Sequence, residues 1–228
     1  MRHTSPVPRF GRAAQFDERS RAYPIRAMLD TSKPLRSYTW RCRTVLNQGW
    51  DSSCVGCAWS HELAARPVEV RGVTYRFAEA VYERAKKIDM WEGEDYLGTS
   101  VLAGAKVLRN ERYIREFRWA FGLQDVLLTL GYRGPVVLGL TWREGMEHPS
   151  LDGRIRPTGD VTGGHAIAAV GVSVRGRTVT LLNSWGKYWG QNGRCWLTWD
   201  DLGALLDDAG EACVPLRRAR MKRLARLR

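Results

Sequence analysis

The sequence has no long apolar run and few cysteines for its length of 228 residues. A membrane-spanning helix needs about 20 consecutive apolar residues, and no stretch of the chain approaches that length. The first 16 residues are basic but lack the apolar core of a secretory signal, so we expect no such signal. The five cysteines are odd in number and scattered, which favours reduced thiols over a disulfide framework.

Acidic residues are absent from the C-terminal end, and basic residues are concentrated at both ends. Residues 217–228 carry seven positive charges and no negative charge, and residues 1–43 carry a net charge of +7. Because the whole chain has a net charge of +12, the middle is nearly neutral, and charge says little about the main function. We predict a basic tail at 216–228 that is either solvated or in contact with an acidic partner or nucleic acid.

Helical patterns fill the first half of the chain, after an N-terminal arm. Residues 1–34 contain four prolines and show little periodicity, which predicts an arm and not a domain. We predict helices over residues 53–66, 77–88, about 99–109, and 123–131. The first helix is capped by Ser52 or Ser53 and ends before Pro67, because proline disfavours helical backbone at the preceding residue.

Strand patterns follow from Gly134 onward. We predict strands at 136–142 and 194–199 and, between them, a hairpin of 165–174 and 178–186 around a turn at 175–177. Helices first and antiparallel strands second predict an α+β fold in two lobes, about 45–131 and 132–215. The junction between two such lobes is the expected place for chemistry.

Three short segments contain residues that are suited to nucleophilic chemistry. They are Asn47–Trp59, Gly163–Ile167 and Leu182–Gly186, the last followed by Trp189–Gly193. Cys54 begins the first predicted helix, where unpaired backbone N–H groups and the helix dipole stabilise negative charge. We therefore expect Cys54 to be a reactive thiolate.

Three polar side chains are expected around this cysteine. His165 opens an apolar strand, from which an imidazole can reach a thiolate across a cleft. Asn183 lies on the neighbouring strand of the hairpin, where an amide can orient that ring. Gln48 lies on the loop before Cys54, and its side chain and the Cys54 backbone N–H are candidate donors to an oxyanion.

These residues resemble the papain-like cysteine peptidases over most of residues 35–213. Gln-Gly, Ser-Cys at a helix start, Gly-His-Ala, and Asn-Ser-Trp-Gly with Trp-Gly-x-Asn-Gly occur in the order of that family. The last motif is the most specific of them. The chain looks most like the short members from bacteria and their phages.

The resemblance implies a two-lobe fold with a helical left lobe, an antiparallel β right lobe and a peptide-cleaving cleft between them. The peptidase domain would span residues 35–215. By position, Cys54 is the nucleophile, His165 the general acid and base, Asn183 its orienting residue and Gln48 the oxyanion donor.

The resemblance also indicates which residues line the cleft and what the protein binds. Trp185 covers the hydrogen bond between the histidine and the asparagine, and Gly164 and Ala166 line the cleft beside His165. Both residues are small, so the sequence shows no charged residue there that would select a substrate side chain. We expect a protein or peptide substrate, no cofactor, no metal and no membrane partner. With reduced cysteines and no signal, we expect a cytoplasmic or virion-associated protein.

Cys54 and Cys57 form a C-x-x-C pair, so the nucleophile has to be chosen between them. The family's common signature has a cysteine three residues before the nucleophile, which points to Cys57. In the family, however, the glutamine precedes the nucleophile by six residues, as Gln48 precedes Cys54. We therefore predict that Cys54 is the nucleophile.

Three other functions stay open on the sequence. The C-x-x-C spacing also suits a redox site or zinc ligands, although no βαβ pattern surrounds it and no second C-x-x-C completes a four-cysteine site. The papain-like family includes members that bind without cleaving. An acyltransferase would use the same thioester with an amine in place of water.

Overall fold

The structure is a computed structural model that describes residues 10–93 and 96–216, so the basic tail lies outside the described residues beyond Leu216. The described helices are α1 (Glu18–Arg21), α2 (Cys54–Ala64), α3 (Tyr75–Lys86), α4 (Val101–Asn110), α5 (Leu123–Tyr132) and α6 (Trp199–Asp207). Short 3-10 turns span Ile25–Met28 and Glu144–Met146. None of the helices described here combines the length and apolar character that crossing a membrane requires.

The described strands form an antiparallel sheet. They are β1 (Tyr38–Thr39), β2 (Glu116–Ala120), β3 (Val136–Arg143), β4 (Val161–Ser173), β5 (Thr178–Leu182), β6 (Arg194–Thr198) and β7 (Glu211–Leu216). Their order is β2-β7-β3-β4-β5-β6, with β1 beside β4. The predicted hairpin is β4–β5, in which Ala168 lies opposite Leu182 and Val172 opposite Val179. Helices combined with this antiparallel sheet confirm the predicted α+β class.

Helix α2 is the centre of the helical part. All of its residues are buried, and α3 and α4 pack around it. Trp59 in α2 donates from Nε1 to the Val101 carbonyl at 3.1 Å, which ties α2 to the start of α4. The Ser100 hydroxyl accepts the Ala103 N–H at 2.9 Å and caps α4. A helix buried all round is positioned by its neighbours from every side.

Strand β4 separates two apolar cores because its side chains alternate between the faces of the sheet. Ala166, Ala168 and Val170 join the core that contains α2, α3 and α4. Ile167 and Ala169 join the second core, which contains residues of α5 and α6. The first half of β4 therefore lies at the boundary between the helical part and the β part.

Some elements differ from the sequence predictions. Ser53 precedes α2, but its hydroxyl bonds to the Tyr75 hydroxyl at 3.0 Å and makes no side-chain cap. Strands β2 and β7 and helix α6 were not predicted. Pro215 in β7 has no N–H for the ladder, which weakens the strand pattern, yet it pairs opposite Phe117 in β2. Strand β2 thus lies within residues 45–131 but joins the sheet of the second lobe.

Truncating the core of the sheet should destabilise the fold. Leu138 in β3 is fully buried in the second core. Leu138→Ala leaves a cavity, so we expect the free energy of unfolding to fall by about 2–5 kcal/mol. Denaturant titration followed by tryptophan fluorescence measures the change. Leu151→Ala is the matched control, because Leu151 is fully exposed; an equal loss there would contradict the placement of Leu138.

Candidate active site

Cys54 is the first residue of α2 and is fully buried. The loop before it is fastened to the opposite wall by the Gln48 backbone N–H, which donates to the Ser184 carbonyl at 2.8 Å. His61 supports the same loop, because its Nε2 accepts the Leu46 N–H at 3.0 Å. These two bonds fix the backbone that leads into Cys54.

His165 and Asn183 are joined by a buried hydrogen bond of 2.8 Å between Nε2 and Oδ1. The Ser184 N–H also donates to Asn183 Oδ1 at 2.8 Å, so this atom acts as an acceptor. The ring therefore carries its proton on Nε2, and Nδ1 has no hydrogen-bond partner among the described residues. This bond is the contact that the predicted orienting role of Asn183 requires.

Three aromatic rings enclose the imidazole of His165. The ring centroids of Trp142, Trp185 and Phe10 lie 4.7, 5.0 and 6.0 Å from it. Burial lowers the pKa of His165 to about 4, although the hydrogen bond to Asn183 opposes this. The ring is therefore neutral near neutral pH. Trp185 thus contacts the ring of His165, one partner of the hydrogen bond that it is expected to cover.

Strand β4 also contacts the candidate nucleophile. The Ala166 N–H donates to Cys54 Sγ at 3.4 Å. Because Ala166 directly follows His165, this bond brings the strand that carries the imidazole to the thiol. Ala166 itself is almost fully buried, so its backbone and not its side chain faces the cleft.

The amide of Gln48 is held at both of its ends. Its Nε2 donates to the Asp51 carbonyl at 2.6 Å, and its Oε1 accepts the Ser184 hydroxyl at 2.6 Å. The Gln48 side chain is therefore fixed in orientation on the loop that precedes Cys54.

The N-terminal arm lies in the cleft and bonds to both walls. The Arg12 N–H donates to the Gly164 carbonyl at 2.9 Å. On the other wall, the Ala13 N–H donates to the Thr99 carbonyl, and the Thr99 N–H donates to the Gly11 carbonyl, both at 2.9 Å. The arm thus runs as a short parallel strand beside Thr99.

Gly11 covers Cys54 directly. Its backbone N–H interacts with the sulfur. A β-carbon at Gly11 would lie 1.8 Å from the Ser52 carbonyl oxygen, so glycine alone fits this close approach. In this conformation the arm presents an N–H group to the sulfur, which is not the geometry for attack on a carbonyl carbon.

The covered thiol is not ionised. Burial raises the pKa of Cys54 to about 11, and hydrogen bonds from the N–H groups of Ala166 and Gly11 offset only part of this effect. The predicted thiolate is therefore wrong for this conformation. The reason is desolvation: beneath the arm, the lost hydration of a thiolate outweighs the favourable helix N-terminus.

Cys57 lies one turn further along α2. It is fully buried in a small cluster with Leu46 and Ala78, and burial raises its pKa well above the ordinary value. All five cysteines are free thiols. Within residues 10–93 and 96–216, no group of three or more histidine, cysteine or acidic side chains is placed to hold a metal ion.

Sequence reasoning missed three residues of the cleft. Phe10 packs on His165, and the side chain of Arg12 enters a pocket in which it pairs with Glu211 at 2.9 Å. The sequence showed no charged group near the cleft, but Glu211 pairs with Arg12 of the arm and lies opposite Gly139 in β3. No local pattern indicates this, because the three residues come from the arm and from the unpredicted strand β7.

No family model matches the sequence, and no curated protein matches it either. Solved structures match it in fold. Xylellain, a cysteine protease from Xylella fastidiosa, has a TM-score of 0.70 and 19% identity over 92% of this chain and 97% of its own. Procathepsin L 3 from Tenebrio molitor larval midgut has a TM-score of 0.63 and 16% identity over 90% and 75%.

A third solved structure is the Carica candamarcensis cysteine protease CMS1MS2 in complex with E-64. It has a TM-score of 0.57 and 18% identity, and the match covers 82% of this chain and 100% of that one. The first and the third of these proteins are named as cysteine proteases. The chain therefore has the papain-like fold that the resemblance implied.

Adding one methyl group at Gly11 should expose Cys54. In Gly11→Ala the new carbon clashes with the Ser52 carbonyl, so the arm has to leave its place. Each 1.4 kcal/mol of lost arm binding is a factor of about ten, and we expect iodoacetamide to alkylate Cys54 at least about tenfold faster. Peptide mass mapping identifies the labelled cysteine. Gly203→Ala is the control, because it adds the same methyl group where the nearest atom is 3.8 Å away. In this variant the rate at which iodoacetamide alkylates Cys54 should not change.

The pH dependence of the same labelling should shift as well. The thiolate is the reactive form, so the rate rises as the pH passes through the pKa of the thiol. Because burial raises the pKa of Cys54 to about 11, labelling of the intact chain should rise only in strongly alkaline solution. In Gly11→Ala, hydration should move the midpoint to lower pH. A faster rate with an unshifted midpoint would show that the arm controls access alone.

Proposed function

We propose that the chain is a cysteine peptidase that hydrolyses peptide bonds through a thioester on Cys54. One observation carries the proposal: the His165–Asn183 pair is linked to Cys54 through the bond from the adjacent Ala166 N–H to the sulfur. An oriented imidazole, on a strand whose backbone contacts a thiol at a helix start, suits nucleophilic catalysis. The papain-like fold supports the same chemistry at a coarse level.

In the proposed reaction, the cleft first has to be free of the arm. Nδ1 of His165 then takes the proton of Cys54, since Nε2 is engaged by Asn183. The thiolate attacks the carbonyl carbon of a bound peptide, which forms a C–S bond and places negative charge on the carbonyl oxygen. The Gln48 amide and the Cys54 backbone N–H donate hydrogen bonds to that oxygen.

The tetrahedral intermediate then collapses and the C–N bond breaks. His165 gives its proton to the leaving amine, which departs as the first product. Water attacks the thioester while His165 takes a proton from it, and collapse of the second intermediate releases the carboxylic acid. The thiol recovers its proton from the imidazole, so Cys54 and His165 return to their starting forms.

Asn183 has a positioning role in this scheme. Its Oδ1 accepts from both His165 and Ser184, which fixes the amide and therefore the ring plane. Trp142 and Trp185 exclude water from the same bond. An imidazole held in this way directs Nδ1 towards the cysteine throughout the cycle.

Substitution of the two neighbouring cysteines should identify the nucleophile. In a Gly11→Ala background, Cys54→Ala should lower turnover of a peptide mixture by at least about 10³-fold, because no other group forms the thioester. Asn183→Ala should cause a smaller loss of about 10- to 100-fold, because the base stays but loses a hydrogen bond. Cleavage is measured by mass spectrometry of the products.

Cys57→Ala is the matched control, since it removes a buried thiol from the same helix. It should retain turnover, and the opposite pattern would move the nucleophile to Cys57. A thiol-directed peptidyl epoxide should attach to Cys54. Labelling without cleavage would favour the binding-only function, whereas peptide transfer to an added amine would identify an acyltransferase.

A further inference from the structure

A pocket lies at the junction of the N-terminal arm, the end of α4 and the start of β2. Its volume of about 440 Å³ is within the range of about 300–1,000 Å³ that is usual for pockets that hold small ligands. None of its lining residues belongs to the candidate active site. We call it the basic pocket and define it by four cationic side chains and two rings: Arg19, Lys106, Arg109, Arg115, Tyr23 and Phe117.

The basic pocket also contains two acidic residues, and the first of them is shared between two cations. Asp17 caps α1, and its carboxylate lies 3.6 Å from Arg19 Nε and 3.9 Å from Lys106 Nζ. One carboxylate carries a single negative charge, so it compensates only one of these two cations.

The second acidic residue pairs with a neighbour in β2. Glu116 Oε1 lies 2.6 Å from Arg118 Nη2. Arg109 and Arg115 are exposed, and neither has an acidic partner among residues 10–93 and 96–216. Arg109 lies in the last turn of α4, where a cation also favours the helix dipole, but Arg115 precedes β2 and has no such role. The pocket therefore presents uncompensated positive charge, which favours an anionic ligand.

Aromatic rings lie between these cations. Tyr23 is 56% exposed, and the Arg118 guanidinium lies over one face of its ring at 5.9 Å. The Tyr23 carbonyl accepts the Trp119 N–H at 3.1 Å, so the ring is attached to a fixed backbone. Arg109 lies over the ring of Phe117 at 5.7 Å. An exposed ring among arginines suits single-stranded nucleic acid, because bases stack on the ring and phosphates pair with the guanidinium groups.

The basic tail begins beside the same pocket. In the pairing of β2 with β7, Glu116 lies opposite Leu216, the last described residue. Because paired residues of antiparallel strands are about 5 Å apart, the chain leaves β7 next to the start of β2. Residues 217–228 carry seven positive charges, six of them on arginine, and no negative charge. The register of the sheet thus joins two groups of cations that are remote in the sequence.

We propose that the basic pocket and the basic tail together form a binding surface for single-stranded nucleic acid. Arginines of both parts pair with phosphates, and Tyr23 provides the ring on which a base stacks. The surface shares no residue with the candidate active site, so the proposal does not depend on the peptidase function.

Other anionic partners are attracted by the same charge. An acidic protein segment and a membrane with anionic lipids both pair with arginine and lysine. Neither of them has a base that stacks on Tyr23, and the bases of a duplex are already stacked on each other. The ring therefore separates single-stranded nucleic acid from the other three ligands, whereas the charges alone do not.

Fluorescence anisotropy of the full chain with a labelled oligonucleotide of about 16 nucleotides, as RNA and as DNA, provides the assay. Arg109→Gln combined with Arg115→Gln should weaken binding at least about tenfold at low salt. It should also reduce the slope of log Kd against log salt concentration by about 1.4, because each lost phosphate contact removes about 0.7. Arg43→Gln combined with Lys187→Gln is the matched control, since it removes the same charge from a different pocket. It should change neither quantity.

Substitution of the ring tests the class of ligand. Tyr23→Ala should weaken binding of the oligonucleotide by about 5- to 100-fold, because a stacked base loses its partner. Tyr23→Phe keeps the ring and should bind as the unchanged chain does. Thermal unfolding checks that each variant is folded. Unchanged binding by Tyr23→Ala would overturn the proposal, as would equal affinity for a duplex of the same sequence or for polyglutamate of the same charge.

Substitutions in the tail test whether the two parts bind one ligand. Arg217→Gln combined with Arg218→Gln should reduce the salt slope by about the same amount as the pair of substitutions in the pocket, and the two effects should add. Binding that falls with the tail substitutions but not with those at Arg109 and Arg115 would assign it to the tail alone and overturn the proposal. Binding to vesicles that contain phosphatidylserine, without binding to the oligonucleotide, would also overturn it.

Discussion

The approach of α2 to β4 is the contact on which the site depends. The side chains of β4 that face the helix begin with Ala166 and Ala168, and their small size lets the start of α2 come close to the strand. The Ala166 N–H then reaches Cys54 Sγ at 3.4 Å. The return strand β5 ends just before Asn183, which meets the other side of the imidazole. Because interiors are close-packed, α2 cannot shift without separating thiol from imidazole.

Burial at the contact between α2 and β4 disfavours the charged forms of both Cys54 and His165. It raises the pKa of Cys54 to about 11 and lowers that of His165 to about 4, so the closed site holds a neutral pair. Proton transfer from the thiol to the imidazole creates two charges, which a dry environment disfavours. When the Gly11 segment leaves, water returns and the cost of both charges falls. In the proposed mechanism the arm thus controls ionisation as well as access.

Much of the fold follows from local patterns, and the cleft chemistry only in part. Helices α2 to α5 and the β4–β5 hairpin have clear periodicity, so their positions could be predicted, and the hairpin puts Asn183 near His165. Strands β2 and β7 are short and lack such a pattern. The ionisation state of the Cys54 thiol depends on the N-terminal arm that covers it. The pair of Arg12 and Glu211 joins residues 199 positions apart, which no local pattern encodes.

The buried carboxylate of Glu211 fixes the arm to the sheet. A carboxylate with no exposed surface is stable as an anion only beside a cation. That cation is Arg12, whose Nε donates to Glu211 Oε1 at 2.9 Å and whose side chain is also buried. Because Gly11 directly precedes Arg12, this ion pair also holds in place the backbone N–H that interacts with the Cys54 sulfur. The burial of the thiol therefore depends on a pairing with a strand that is remote from it in the sequence, and release of the arm requires a guanidinium and a carboxylate to separate in the interior.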